Sequence, residues 1–214
     1  MEEHHISVPR TARYHTIGDP QSARELWIVL HGYAQLARFF LRPFVGLDEG
    51  RLIAAPEGLS RFYTDADHSR VGSTWMTRED REAEIADQAT YLNALATHLL
   101  QQCPQGTPLN VFGFSQGVAT ASRWVMSNSS PINRLVLWGG TLPPELDAAD
   151  LAKSWRKIKV ELVHGEQDPI VNTGDHQRNE ARLRASGVPY RTVHFPGGHE
   201  LDRHTLKRVM ENLQ

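Results

Sequence analysis

Leu109-Asn-Val-Phe112-Gly113-Phe-Ser115-Gln-Gly117-Val-Ala-Thr120 is the stretch on which the reading of this chain turns. Leu109 to Phe112 is a short apolar run of the kind expected of a strand buried on both faces of a parallel sheet. Gln116 to Ser127 reads as a helix, and between the two lies Gly113-x-Ser115-x-Gly117. The pentapeptide alone turns up by chance in about one chain in fifteen of this length, so its setting matters more than its letters. A strand, a tight turn and a helix are what a nucleophile elbow requires, because a Cβ two positions before or after the serine would strike the neighbouring strand or helix. Such a turn exposes the serine hydroxyl at a helix N-terminus, where the dipole and free N–H groups favour developing negative charge.

Working outward, runs of the same kind occur at Leu26 to Leu30, Leu52 to Ala55, Arg134 to Trp138, Val160 to His164 and Arg191 to Phe195. Ala12 to Ile17 alternates and fits an antiparallel edge strand. Helical spacing is clearest over Glu79 to Gln102, with Thr77 and Asp80 as its expected N-cap. Leu36 to Val45, Asp175 to Ser186 stopped by Gly187, and Asp202 to Asn212 complete the set. Strands alternating with helices imply an α/β fold, a mostly parallel central sheet with helices on both faces, and residues 1–214 read as a single domain. Pro56 to Met76 and Gly139 to Ser154 read as irregular, and connections of that length are often binding loops.

A serine hydroxyl is a weak nucleophile and needs a base, which in turn needs an orienting carboxylate. Val163-His-Gly-Glu-Gln-Asp168-Pro-Ile-Val places Asp168 just past a strand end, and Phe195-Pro-Gly-Gly-His199 places His199 in a glycine-rich loop after the last strand. The order Ser, acid, His is the one this elbow calls for. Glu166 and Asp175 are the rival acids. His194 and His204 flank the proposed base, but one lies in a strand and the other in a helix. The expected oxyanion donors are the backbone N–H groups of Gln116 and of Tyr33, the latter in the loop after Leu26 to Leu30, where Gly32 permits close approach. Phe62, Tyr63, Trp75 and Met76, with Trp138 and Leu142, are the candidates to line an acyl pocket, with core packing as the alternative reading of the same residues.

Leu30-His-Gly-Tyr33, Gly113-Phe-Ser-Gln-Gly117, His164-Gly-Glu-Gln-Asp168-Pro-Ile-Val171 and Gly197-Gly-His199, four segments in one order, resemble the phospholipase/carboxylesterase family, which includes the acyl-protein thioesterases. The resemblance spans roughly Leu26 to Leu213. It implies an α/β-hydrolase fold with little or no cap and hydrolysis of short-chain esters, lysophospholipids or acyl-thioesters. Under it Ser115 is the nucleophile, Asp168 the acid, His199 the base, and Tyr33 and Gln116 the oxyanion donors. The acyl-protein thioesterase branch usually carries a glycine- and aspartate-rich stretch after His-Gly, whereas this chain has Tyr33-Ala-Gln-Leu-Ala-Arg-Phe-Phe40. That difference favours a bacterial-type carboxylesterase acting on a small ester, with a thioester as the alternative.

Composition narrows the remaining classes. Lys plus Arg is 23 and Asp plus Glu is 25 in 214 residues, a net charge of −2. That balance does not steer a protein towards nucleic acid. No stretch approaches the roughly 18 apolar residues of a membrane span, and the acidic start, with a single cysteine, reads as cytosolic. No phosphate loop, dinucleotide fingerprint or metal-binding motif is present, so no cofactor and no catalytic metal are expected; His4-His5 is an isolated pair. The competitor from another class is a catalytically silent relative that serves as a ligand receptor.

Overall fold

The strands predicted from apolar runs pair into one sheet in the computed structural model, which describes residues 1–128 and 130–212. They are β1 (Tyr14–Ile17), β2 (Glu25–Leu30), β3 (Arg51–Pro56), β6 (Leu109–Phe114), β7 (Ile132–Trp138), β8 (Lys159–Gly165) and β9 (Tyr190–Phe195), with β4 (Ser60–Tyr63) and β5 (Val71–Thr74) forming a separate hairpin. The main sheet runs β1-β3-β2-β6-β7-β8-β9. Only β1 is antiparallel, against β3 at the edge; the other neighbours are parallel. The helices are α1 (Ala37–Phe40), α2 (Arg81–Leu100), α3 (Gln116–Ser127), α4 (Ala148–Trp155), α5 (Thr173–Ser186) and α6 (Arg203–Met210).

Strand parity divides the core in two, because successive side chains leave a strand on opposite faces. Leu26, Ile28 and Leu30 of β2 join Val111 and Leu135 in a cluster covered by α2, α3, α4 and α5, through Leu92, Val118, Trp155 and Leu183. Trp27 and Val29 point the other way, joining Phe112, Val136 and Trp138 under α1 and α6, through Phe40, Leu206 and Val209. Helices therefore lie on both faces, as expected. None of them, among the described residues, is long and apolar enough to cross a membrane.

Across β7 and β8, Arg134 and Glu161 form a pair 2.6 Å apart, with side chains only 4% and 3% exposed. A buried pair of this kind needs further hydrogen bonds to satisfy its remaining groups. Glu161 also meets Arg191 of β9 at 2.7 Å. Arg134 donates to the carbonyls of Val209 and Met210 in the last turn of α6, where a cation complements the helix dipole.

Four details correct the sequence reading. Pro56 to Met76 is not irregular: it contains the β4–β5 hairpin, pinned to the loop after β2 by Ala34 N–H to Ser73 carbonyl and Ser73 N–H to Gln35 carbonyl bonds. Gly139 to Ser154 contains most of α4, capped by Asp147 and buried through Leu151 and Trp155. Leu36 to Val45 is a single α-turn followed by a tight turn at Arg42–Phe44, since Pro43 lacks an N–H with which to continue the ladder. Finally, α2 starts at Arg81; Asp80 sits at φ 48° with no side-chain cap, and Thr77 Oγ1 instead accepts from the Glu79 N–H.

Candidate active site

The carboxyl ends of β6, β7, β8 and β9 lie side by side, so the loops that follow them meet. Ser115 stands between β6 and α3 at φ 54°, ψ −117°, a conformation that a non-glycine residue holds only under constraint from its surroundings. The constraint is visible at the two glycines. A Cβ on Gly113 would lie 2.4 Å from the Gly117 carbonyl oxygen, and one on Gly117 would lie 2.2 Å from the Leu30 carbonyl oxygen in β2. The turn closes only because both positions lack a side chain. The Ser115 N–H donates to the Trp138 carbonyl at 2.9 Å, which anchors the turn to β7.

His199 Nε2 is 2.8 Å from Ser115 Oγ, and His199 Nδ1 is 2.7 Å from Asp168 Oδ2. The other Asp168 oxygen accepts from the N–H groups of Ile170 (2.8 Å) and Val171 (2.9 Å). Burial pushes the Asp168 carboxyl up, but the Val171 and Ile170 amides and His199 outweigh it and hold the group below its ordinary value, so it remains charged. A charged acceptor on Nδ1 assigns the imidazole proton there and leaves Nε2 with a lone pair directed at the serine. The acid and base loops are tied by Gln167 N–H to the Gly197 carbonyl and Glu166 N–H to the Phe195 carbonyl, both 2.9 Å. Gly139, at φ 58°, passes under the imidazole, and the Phe114 ring lies 5.0 Å from it.

The rival acids and bases have other positions. Glu166 is exposed, and Asp175 forms a capping box with Asn172 at the start of α5. His194 is bonded to His164, and His204 is exposed on α6.

On the other side of Ser115, the loop after β2 brings Tyr33 towards the elbow. A Cβ on Gly32 would sit 3.1 Å from Ser115 Cβ, so the two backbones are in close contact. The Gly32 N–H is taken by Gln35 Oε1 at 2.8 Å, whereas among the described residues no protein acceptor engages the Tyr33 or Gln116 N–H. His31, which the sequence reading passed over as part of a dipeptide, is fully buried and organises this loop. Its Nε2 accepts from the Gly58 N–H (3.0 Å), so its proton lies on Nδ1, bonded to the Gly32 carbonyl at 2.7 Å. Burial pushes its pKa down to about 4, which keeps the ring neutral. The Gln116 side chain joins the same assembly, its amide nitrogen bonded to Thr74 Oγ1 and the Met76 carbonyl, its oxygen accepting from the Trp75 N–H.

The candidate pocket residues separate. Met76 and Leu142, with Gln116, Ala119 and Pro143, line a groove of about 370 Å³ beside the elbow. Tyr33 and Phe62 stack at 5.2 Å on the surface, and Tyr63 is exposed against His68. Trp75 and Trp138 are corrected to core residues, each 1% exposed. The Trp75 indole donates to the His31 carbonyl, and that of Trp138 to the Glu200 carbonyl, so both rings are locked inward.

The model of the phospholipase/carboxylesterase family matches residues 69–214. No curated protein matches the chain. Among solved structures, the chain is similar to an acyl-protein thioesterase 2 from Zea mays (21% identity, TM-score 0.70, covering 95% of this chain and 98% of that one). It is also similar to the esterase PE8 (19%, 0.69, covering 96% and 100%) and to a carboxylesterase from Bacillus cereus (13%, 0.70, covering 94% and 93%). At these identities the structures speak for the fold, an α/β hydrolase.

Proposed function

Since the chain belongs to the phospholipase/carboxylesterase family of ester-hydrolysing enzymes, we propose that it is a serine carboxylesterase that works through an acyl-enzyme on Ser115. The observation that carries this is the unbroken line from Ser115 Oγ through His199 to Asp168, at 2.8 and 2.7 Å. His199 Nε2 takes the hydroxyl proton as Oγ attacks the ester carbonyl. The imidazolium is stabilised by Asp168 and returns the proton to the leaving alkoxide. Water then repeats the cycle on the acyl-enzyme and restores the serine. The Tyr33 and Gln116 N–H groups supply the oxyanion contacts; each such donor contributes about 3 kcal/mol at the transition state.

The Met76–Leu142 groove beside the elbow suits a small or flexible acyl group. Whether the favoured leaving group is an alcohol or a thiol is decided by comparing p-nitrophenyl esters with acyl thioesters from two to sixteen carbons. A fluorophosphonate probe should add its mass at Ser115. Absence of that adduct in folded protein would refute the mechanism and favour a silent receptor.

A further inference from the structure

The groove beside the elbow carries a charge that ester cleavage itself does not require. Its apolar lining is Met76, Ala119, Leu142, Pro143 and Pro144. Its charged lining residues are Arg78 and Arg123, and among the described residues no Asp or Glu lines it. The whole chain has a net charge of −2, so this local excess of cations does not follow from composition. The proposed mechanism uses neither guanidinium.

The two cations are held differently. Glu145, which does not line the groove, accepts from Arg123 Nε at 2.6 Å and offsets that charge. Arg123 Nη1 meets only Met76 Sδ, at 3.4 Å, and a thioether is a weak acceptor. Arg78, in the loop between β5 and α2, is exposed at the groove, and among the described residues its side chain has neither an ion pair nor a hydrogen bond. Their distance from the chemistry is set by α3, along which Gln116, Ala119, Thr120 and Arg123 line the groove in turn. Arg123 stands about two turns, or about 10 Å, beyond Gln116 along the helix axis, and helical side chains lean back towards the N-terminus. Its contact with Met76, whose carbonyl is bonded to the Gln116 amide, fits that lean. A chain that leaves the ester carbonyl along α3 thus meets positive charge within about 10 Å, or about eight bonds.

We infer that the preferred substrates are esters whose acyl part ends in a carboxylate, the monoesters of straight-chain dicarboxylic acids, and that Arg78 selects the charge with Arg123 in support. This deepens the Ser115 reading and rests on it, and on the acyl group lying in the groove. A guanidinium presents paired N–H donors that match a carboxylate. Arg78 gains such a partner without giving up one inside the protein, so no internal ion pair has to break. A neutral acyl chain of the same length makes the same apolar contacts with Met76 and Leu142 and lacks the charged one, which is what discriminates the two.

The test is a ratio: kcat/KM for the mono-p-nitrophenyl ester of adipic acid over that for p-nitrophenyl hexanoate, on the full chain at low salt. The ratio should be roughly tenfold in favour of the acid, should shrink in about 0.5 M sodium chloride, should fall at least about threefold in Arg78→Gln and should drop below one in Arg78→Glu. Each ratio compares two substrates on one preparation, so the fraction of folded protein cancels. Moving the carboxylate to the leaving group, in the hexanoate ester of 4-hydroxybenzoic acid, should give no preference that depends on Arg78. A ratio at or below one in the unsubstituted protein, a ratio that Arg78→Glu leaves unchanged, or an equal preference with the charge on the leaving group overturns the inference, while the fluorophosphonate adduct at Ser115 reports separately on the esterase reading. A further arm needs no turnover: N-methyl adipamic acid should shift the Met76 methyl resonance at lower concentration than N-methylhexanamide does. Equal affinity of the two amides overturns the inference even if neither ester is cleaved.

Discussion

The two flanks of Ser115 are held by different means. On the flank of β7, β8 and β9, backbone bonds tie neighbouring loops to one another: Ser115 to Trp138, Gly139 to Val163, Glu166 to Phe195. The elbow itself is closed by contacts at Gly113 and Gly117 that leave no room for a methyl group. On the flank of β2 and the hairpin, side chains add to the backbone bonds between Ala34, Gln35 and Ser73. His31 reaches the Gly58 amide, Ser73 Oγ lies against His31 and donates to the Gln35 carbonyl, and Gln116 spans Thr74 to Met76. A steric closure is intolerant of change, whereas a network of side-chain bonds weakens one bond at a time. The flank that carries the reacting groups thus depends on the closure at the elbow, and the side-chain ties of the other flank can be altered by degrees.

The largest effect expected is on chemistry alone. Ser115→Ala should lower kcat by roughly 10⁵-fold or more with the melting temperature unchanged, measured by steady-state hydrolysis and calorimetry. Next comes the steric closure: Gly117→Ala, with its new methyl driven against the Leu30 carbonyl, should cost about 3 kcal/mol or more in urea unfolding. A Gly117→Ala protein of normal stability and activity would erase the distinction between the flanks.

His31→Gln should act more mildly. It disturbs a buried network at a cost of about 2 kcal/mol and lowers kcat roughly tenfold, with KM little changed, because the loop that carries the proposed Tyr33 donor loses its support. It also carries a signature in pH. The native pKa of His31 lies below that of the unfolded chain, so on acidification the unfolded state takes up a proton that the native state refuses. Stability therefore falls between about pH 6.5 and about 4. The decline should be shallower in His31→Gln, with melting temperature followed across that window. The smallest effect belongs to the groove. Met76→Ala should shift the preferred acyl length by a few-fold in kcat/KM and leave stability within about 1 kcal/mol, since Met76 is only half-buried.

The same contrast explains what could be read in advance. The elbow was legible because its requirement is local: two glycines around one serine, between a strand and a helix. Asp168 and His199 followed from chain order and from their positions at strand ends. Trp75 and Trp138 were not legible as core residues, because whether an aromatic faces the cleft or the interior depends on strand parity and on indole partners contributed by distant segments, His31 and Glu200. The β4–β5 hairpin escaped notice because Ser60-Arg-Phe-Tyr63 and Val71-Gly-Ser-Thr74 are short and separated by a polar loop. Its stability comes from the bridge to Gln35, which no local pattern contains. Asp147 with Leu151 and Trp155 was a cap and apolar-pair signal for α4, but the helix is only eight residues long.

The Arg134–Glu161 pair has a consequence for the order in which the chain acquires its structure. Both charges are buried within the sheet, on β7 and β8, yet two of the carbonyls that satisfy Arg134 belong to Val209 and Met210, at the far end of α6. During synthesis β7 and β8 leave the ribosome tens of residues before that helix does. Over that interval the guanidinium must keep its water, and this part of the sheet stays wet. The α6 helix therefore acts as a late latch, and a nascent chain arrested before Val209 should remain open to proteases that the finished protein resists.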